Sequence, residues 1–149
     1  MSTGKMTGED YWAIARLMSE FCWKVDHGQG AEMGELFTAD ARVVTPRFNL
    51  GNRDEIVAWF TARSKNTELL TRHSWAAPRF EMQSASRIKV TSVATTILGK
   101  TPAPAAGAQI MIGDALDIVE KEADGQWRFS ERVLDVVFEG RIDAVDRTN

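Results

Sequence analysis

The chain has 149 residues and a net charge of −3, with 44% hydrophobic and 26% charged residues. That length and apolar content support a single domain with a full core, needing neither disulfides nor a structural metal. The charge balance leaves no basic surplus to neutralise phosphates, which argues against a nucleic-acid partner, and the lone cysteine, Cys22, excludes an intramolecular disulfide and fits a reducing, cytoplasmic setting.

No apolar run approaches a membrane span. The segment Met1 to Gly8 is small and polar, without the hydrophobic stretch of a signal peptide, and is read as frayed chain. The expected organisation is a disordered N-terminus over 1–8, one domain over 9–140 and a polar tail over 141–149. Thr7 and Asp10 form a capping box that starts a first helix. Its apolar stripe is Tyr11, Ile14, Ala15, Met18, Phe21, Cys22 and Val25, in steps of three and four, and Gly28 and Gly30 end it. A second short helix is predicted over roughly Ala31 to Phe37, then a first strand over Ala41 to Thr45 stopped by Pro46. Asn52 caps a third helix, with Glu55 three residues on and Ile56, Val57, Trp59 and Phe60 on the buried side. After Ser64 the period changes from that of a helix to that of a strand. Strands are predicted at Thr71 to Met82 (interrupted at Pro78), Arg87 to Leu98, Gln109 to Lys121 and Gln126 to Glu139. A proline-bearing loop over Gly99 to Gly107 and a tight turn at Asp124-Gly125 join the later ones. Helices segregated from an antiparallel meander define an α+β domain.

Few residues can carry chemistry. Asp26 lies four residues after Cys22 and extends the apolar stripe of the first helix. The helix dipole at that C-terminal end and burial both disfavour a carboxylate, so the expected pKa shift is upward, as suits a general base or a partner to a cation. On position alone, a helix-end acid in solvent is the simpler reading. His73 sits in a strand, sharing a face with Thr71 and Trp75, and reads either as a hydrogen-bonded core histidine or as a functional group. His27 follows Asp26 directly and points elsewhere, to the surface or to the end of the helix. Asp117 and Arg132 fall opposite each other across the Asp124-Gly125 turn, as a cross-strand ion pair or with Arg132 polarising a ligand. Trp12 and Trp23 lie off the stripe, under loops or at a subunit contact. Gly99-Lys100-Thr101 is not a phosphate loop, since Ala94 stands where the earlier glycine is needed and Pro102 where a helix must begin. With two histidines and one cysteine, the chain has no ligand spacing for a metal and no implied cofactor, and it has no nucleophile elbow.

The order of several segments resembles the SnoaL-like branch of the nuclear-transport-factor-2-like superfamily. The carriers are Trp23-Lys24-Val25-Asp26, Leu36-Phe37-Thr38-Ala39-Asp40-Ala41, Gly51-Asn52-Arg53-Asp54-Glu55-Ile56, Thr71-Arg72-His73, Gly113 to Asp117, and Asp124-Gly125 to Arg132. The resemblance runs from about Asp10 to Glu139. It implies a cone in which three N-terminal helices pack on a strongly curved antiparallel sheet. Its dehydratase and dehydrochlorinase members pair an aspartate at the end of helix one with a strand histidine, and Asp26 and His73 match those positions. Phe21, Phe60, Trp75, Met111 and Arg132 are then the expected lining of a substrate pocket. Two departures stand out. Phe21 occupies the position five before the aspartate where some relatives place a polarising tyrosine or lysine, and Ala115 replaces an aromatic residue two before Asp117, making the pocket roomier.

The resemblance implies a cofactor-independent lyase or isomerase acting on a small hydrophobic cyclic molecule. Two alternatives remain: a non-catalytic ligand-binding module, and an accessory subunit in the style of the small subunits of ring-hydroxylating dioxygenases. Under all three a homo-oligomer, dimer or trimer, is expected, because one face of a curved sheet needs cover.

Overall fold

The computed structural model describes residues 4–143, and the expectations for residues 1–3 and 144–149 lie outside them. Helix α1 (Gly8–Asp26) starts on the capping box: Thr7 Oγ1 accepts from the Asp10 N–H at 3.1 Å, and the Asp10 carboxylate accepts from the Thr7 N–H at 3.3 Å. Met6 packs against the core. The helix buries Ile14, Leu17, Met18 and Val25. Leu17 is buried although it lies off the expected stripe, whereas Tyr11 is 45% exposed and its ring lies tilted against Phe80 at 5.1 Å.

The three expected helices become two and a tighter turn. Gly30–Leu36 is a 3₁₀ helix, and strand β1 (Phe37–Val44) begins where the second helix was expected to end. The cause is a close approach. A Cβ on Gly30 would stand 2.0 Å from the Phe60 carbonyl oxygen, and the Gly30 N–H donates to Ser64 Oγ at 2.9 Å. Only glycine lets this turn press onto the backbone of α2 (Arg53–Ser64). The cap of α2 is as read: Asn52 Oδ1 accepts from the Glu55 N–H at 2.9 Å, and the Glu55 carboxylate accepts from the Gly51 N–H at 2.7 Å.

The short β2 (Asn49–Leu50) pairs with β1, and β3 (Leu69–Ser84), β4 (Arg87–Lys100), β5 (Ala108–Lys121) and β6 (Trp127–Ile142) form an antiparallel meander. The six strands order as β2-β1-β6-β5-β4-β3, with β1 parallel to β6. Pro78 does not break β3. It falls in a bulge between Ala76 and Arg79, on an edge strand where a missing N–H costs no ladder bond. A second bulge leaves Val137 unpaired opposite Gly113, where any Cβ would come within 2.1 Å of the Asp135 carbonyl oxygen. Bulges of this kind bend long strands around a core.

Phe37, Phe129, Met33, Ile56, Ile88, Val90 and Val119 are fully buried between the sheet and the helices. Each such large side chain contributes on the order of 1.5–3 kcal/mol of burial free energy. This packing holds the C-terminal end of α1 against β3, which places Asp26 beside His73.

Candidate active site

Asp26 and His73 meet although 47 residues separate them. Three donors from β3 converge on the Asp26 carboxylate. His73 Nδ1 lies 2.6 Å from Oδ1, the His73 backbone N–H donates to Oδ2 at 2.8 Å, and Thr71 Oγ1 donates to Oδ1 at 2.9 Å. A carboxylate can only accept, so Nδ1 carries a proton, and in the neutral ring Nε2 is then the acceptor. The expected upward shift of Asp26 is overturned. Burial does push the carboxyl up, but the hydrogen bonds and charge of His73 and the bond from Thr71 outweigh it and hold the group below its usual value. Dipole and burial follow from the position of Asp26 in its helix, whereas donors arriving from another strand do not.

Behind this pair stands Arg63, from the last turn of α2. Its Nη2 donates to Thr71 Oγ1 at 3.2 Å and its Nη1 to the Val25 carbonyl oxygen at 3.0 Å. Thr71 is thereby fixed as the donor to Asp26. Nothing in the local pattern around Arg63 pointed to this role, because the contact depends on how α2 packs on α1 and β3.

His73 lines a cavity of about 550 Å³ bounded by α1, α2 and the inner face of the sheet. Phe21, Phe60, Trp75, Met111 and Arg132 line the same cavity. Asp26 does not. It sits behind His73, on a shallower cleft that also includes Ser19, Trp23 and His27. In the cavity Asp117 is 0% exposed and paired through both oxygens with Arg132, whose Nε and Nη2 lie at 2.7 and 3.2 Å. Burial pushes the Asp117 carboxyl up against the pull of Arg132. The guanidinium is stacked by Phe21 at 4.0 Å and Phe129 at 4.2 Å, so the phenylalanine at position 21 places a cation rather than donating to a ligand. Ala115 also lines the cavity. Cys22 also lines it, and burial pushes its thiol up to about 11.

The remaining candidates lie outside. His27 caps α1, with Nδ1 2.9 Å from the Trp23 carbonyl oxygen, and its ring stacks on Trp23 at 3.8 Å. Trp12 and Trp23 are 70% and 57% exposed rather than tucked under loops. Among the described residues, no group of three or more His, Cys, Asp or Glu side chains gathers where it could hold a metal ion. No described helix is long and apolar enough to cross a membrane.

An α+β domain with a largely apolar cavity, a histidine in its wall and an aspartate behind that histidine is the arrangement these observations define. The chain belongs to the SnoaL-like domain family, whose model matches residues 6–133, within the nuclear-transport-factor-2-like superfamily. Solved structures share the fold. A candidate scytalone dehydratase from Novosphingobium aromaticivorans is 24% identical with a TM-score of 0.77, over 95% of this chain and 96% of that one. A candidate aromatic ring hydroxylase from the same organism is 16% identical with a TM-score of 0.79, over 92% and 96%. A hexachlorocyclohexane dehydrochlorinase, LinA type 2, is 15% identical with a TM-score of 0.75, over 95% and 96%. No curated protein matches the chain by sequence.

Proposed function

We propose that this protein is a cofactor-independent lyase or isomerase that abstracts a proton from carbon in a small hydrophobic cyclic substrate. One observation carries the reading: a histidine on the wall of an apolar cavity, with Nδ1 held 2.6 Å from a carboxylate that is itself fixed by two further donors. In this reading His73 Nε2 takes the proton. The electron pair left on carbon forms a double bond as a neighbouring halide departs, or as a neighbouring hydroxyl takes the proton from the His73 imidazolium and departs as water, or the carbon framework takes that proton back at another position. Asp26 sets the tautomer and stabilises the imidazolium that forms. A base so positioned contributes about 10²–10⁴-fold. The structural relatives named above include proteins whose names denote a dehydratase and a dehydrochlorinase, which supports the reaction class.

The test is a panel of bicyclic ketones, hydroxyketones and chlorinated cyclohexanes in deuterated water, followed by deuterium uptake at carbon and by release of water or chloride. Exchange or elimination that is lost in His73→Ala is the expected result. Equal turnover by the folded His73→Ala variant refutes the assignment, and binding without exchange assigns the cavity to a non-catalytic binding module.

A further inference from the structure

Helix α1 carries a second stripe opposite the one it buries. Trp12, Arg16, Ser19 and Trp23 follow one another in steps of four, three and four, so they form one line along the helix. All four are exposed, the two tryptophans by 70% and 57%. Glu20 flanks the line on the same side as Arg16, and among the described residues neither of these charges makes an ion pair. Tryptophan and arginine are the residues in which binding energy concentrates at protein interfaces, and a line of them facing water on one helix marks an interaction surface.

We propose that this face of α1 packs antiparallel against the same face of a second copy of the chain, about a two-fold axis that crosses the helix between Arg16 and Ser19. The order of the residues selects the occupant. Read in the opposite direction, the line keeps its spacing of four, three and four. Trp12 therefore meets the partner subunit's Trp23, and Arg16 meets the partner subunit's Ser19, which is small enough to admit the arginine stem. A two-fold axis of this kind sets each rim of the seam against the same rim of the partner. Arg16 and Glu20 share a rim and lie almost evenly about the axis, so Arg16 reaches the partner subunit's Glu20, and the contact occurs twice. A parallel pairing would instead set Arg16 against Arg16. The size fits a reversible dimer. A tryptophan buries about 150–250 Å², and these are more than half exposed, so the four supply on the order of 500 Å² of the roughly 1,000 Å² that a specific interface needs. The rims of the seam and the cleft beside Trp23 are the surface left to supply the remainder. Ser19 and Trp23 line that cleft with Asp26, so the pairing brings the partner subunit's Trp12 to its edge. Pairing of this kind holds whether or not His73 is a base.

The experiment is sedimentation equilibrium of the full chain across the micromolar range, with thermal melts to establish that each variant is folded. The wild type is expected to be a reversible dimer. Trp12→Ala and Trp23→Ala should each weaken it by at least about tenfold, since either change removes two contacts per dimer. Arg16→Glu and Glu20→Arg set like charges together at both copies of the contact, and each should weaken it about five- to fiftyfold. Mixed in equal amounts, these two charge variants should form a heterodimer close to wild-type affinity. The double change Arg16→Glu with Glu20→Arg should likewise recover self-association. Phe138, 67% exposed on β6, is the control, and Phe138→Ser should leave the affinity within about twofold. A monomeric wild type overturns the proposal. So does an oligomer that keeps its mass in Trp12→Ala and Arg16→Glu, and so does one dissolved by Phe138→Ser, which would give the contact to the sheet. Folded charge variants that stay monomeric when mixed overturn the antiparallel pairing.

Discussion

Asp26→Asn is nearly isosteric, yet the geometry leaves the amide no good arrangement. If its NH₂ occupies the Oδ2 position, it meets the His73 backbone N–H at 2.8 Å, donor against donor. If it occupies the Oδ1 position, it faces His73 Nδ1 at 2.6 Å and the Thr71 hydroxyl at 2.9 Å. His73 must then accept at Nδ1 and carry its proton on Nε2, where it no longer serves as a base. Either way one charge-assisted hydrogen bond is lost, at a cost of about 1.5–3 kcal/mol. For a chain of this length that lowers Tm by roughly 4–10 °C. The pH dependence has a definite sign. The Asp26 carboxyl is depressed in the fold, so its stabilisation is fully present above the unfolded value of 3.8 and is lost as pH falls through the lower folded value. The stability gap between wild type and variant should therefore narrow below pH ~4. Thermal melts from pH 2 to 7 and ¹⁵N chemical shifts of the His73 ring read both effects. A variant that keeps the Nδ1–H tautomer and wild-type stability would refute the reasoning.

Thr71→Val removes one donor from Asp26 and strands Arg63 Nη2; it should cost about 1–3 kcal/mol and start acid unfolding at higher pH, as melts against pH will show. Arg132→Met leaves Asp117 buried and unpaired at a cost of about 3–5 kcal/mol, while the double change Asp117→Leu with Arg132→Met should recover much of it; chemical denaturation that finds the two equally unstable contradicts the ion-pair account. Cys22, its thiol pushed up to about 11, should react with a disulfide reagent at pH 8 far more slowly in the native protein than in denaturant, and equal rates would show that burial does not protect it.

Helix α1 and the cap of α2 were legible because capping boxes and apolar periodicity act over four to eight neighbouring residues. The meander was legible for the same reason: its strands alternate, and Asp124-Gly125 is a local turn signal, with Gly125 at a φ of 81°. The Asp117–Arg132 pair followed from counting outward from that turn. The segment from Gly30 to Phe37 was misread because its glycine is required by contact with α2, a partner that local periodicity cannot see.

The same division runs through the site. The sequence alone determined that Asp26 ends a helix on its apolar side and that His73 shares a strand face with Trp75, since both are matters of spacing. Tertiary structure alone decided that the two touch, that Thr71 and Arg63 brace them, that the Asp26 pKa falls instead of rising, and that Ser92 and Arg132 share a cavity with His73. Each of these depends on donors and acceptors brought together from distant strands and helices. Hydrogen bonds and desolvation act over a few ångströms of space, and only the packed sheet and helices turn 47 residues of chain into a 2.6 Å contact.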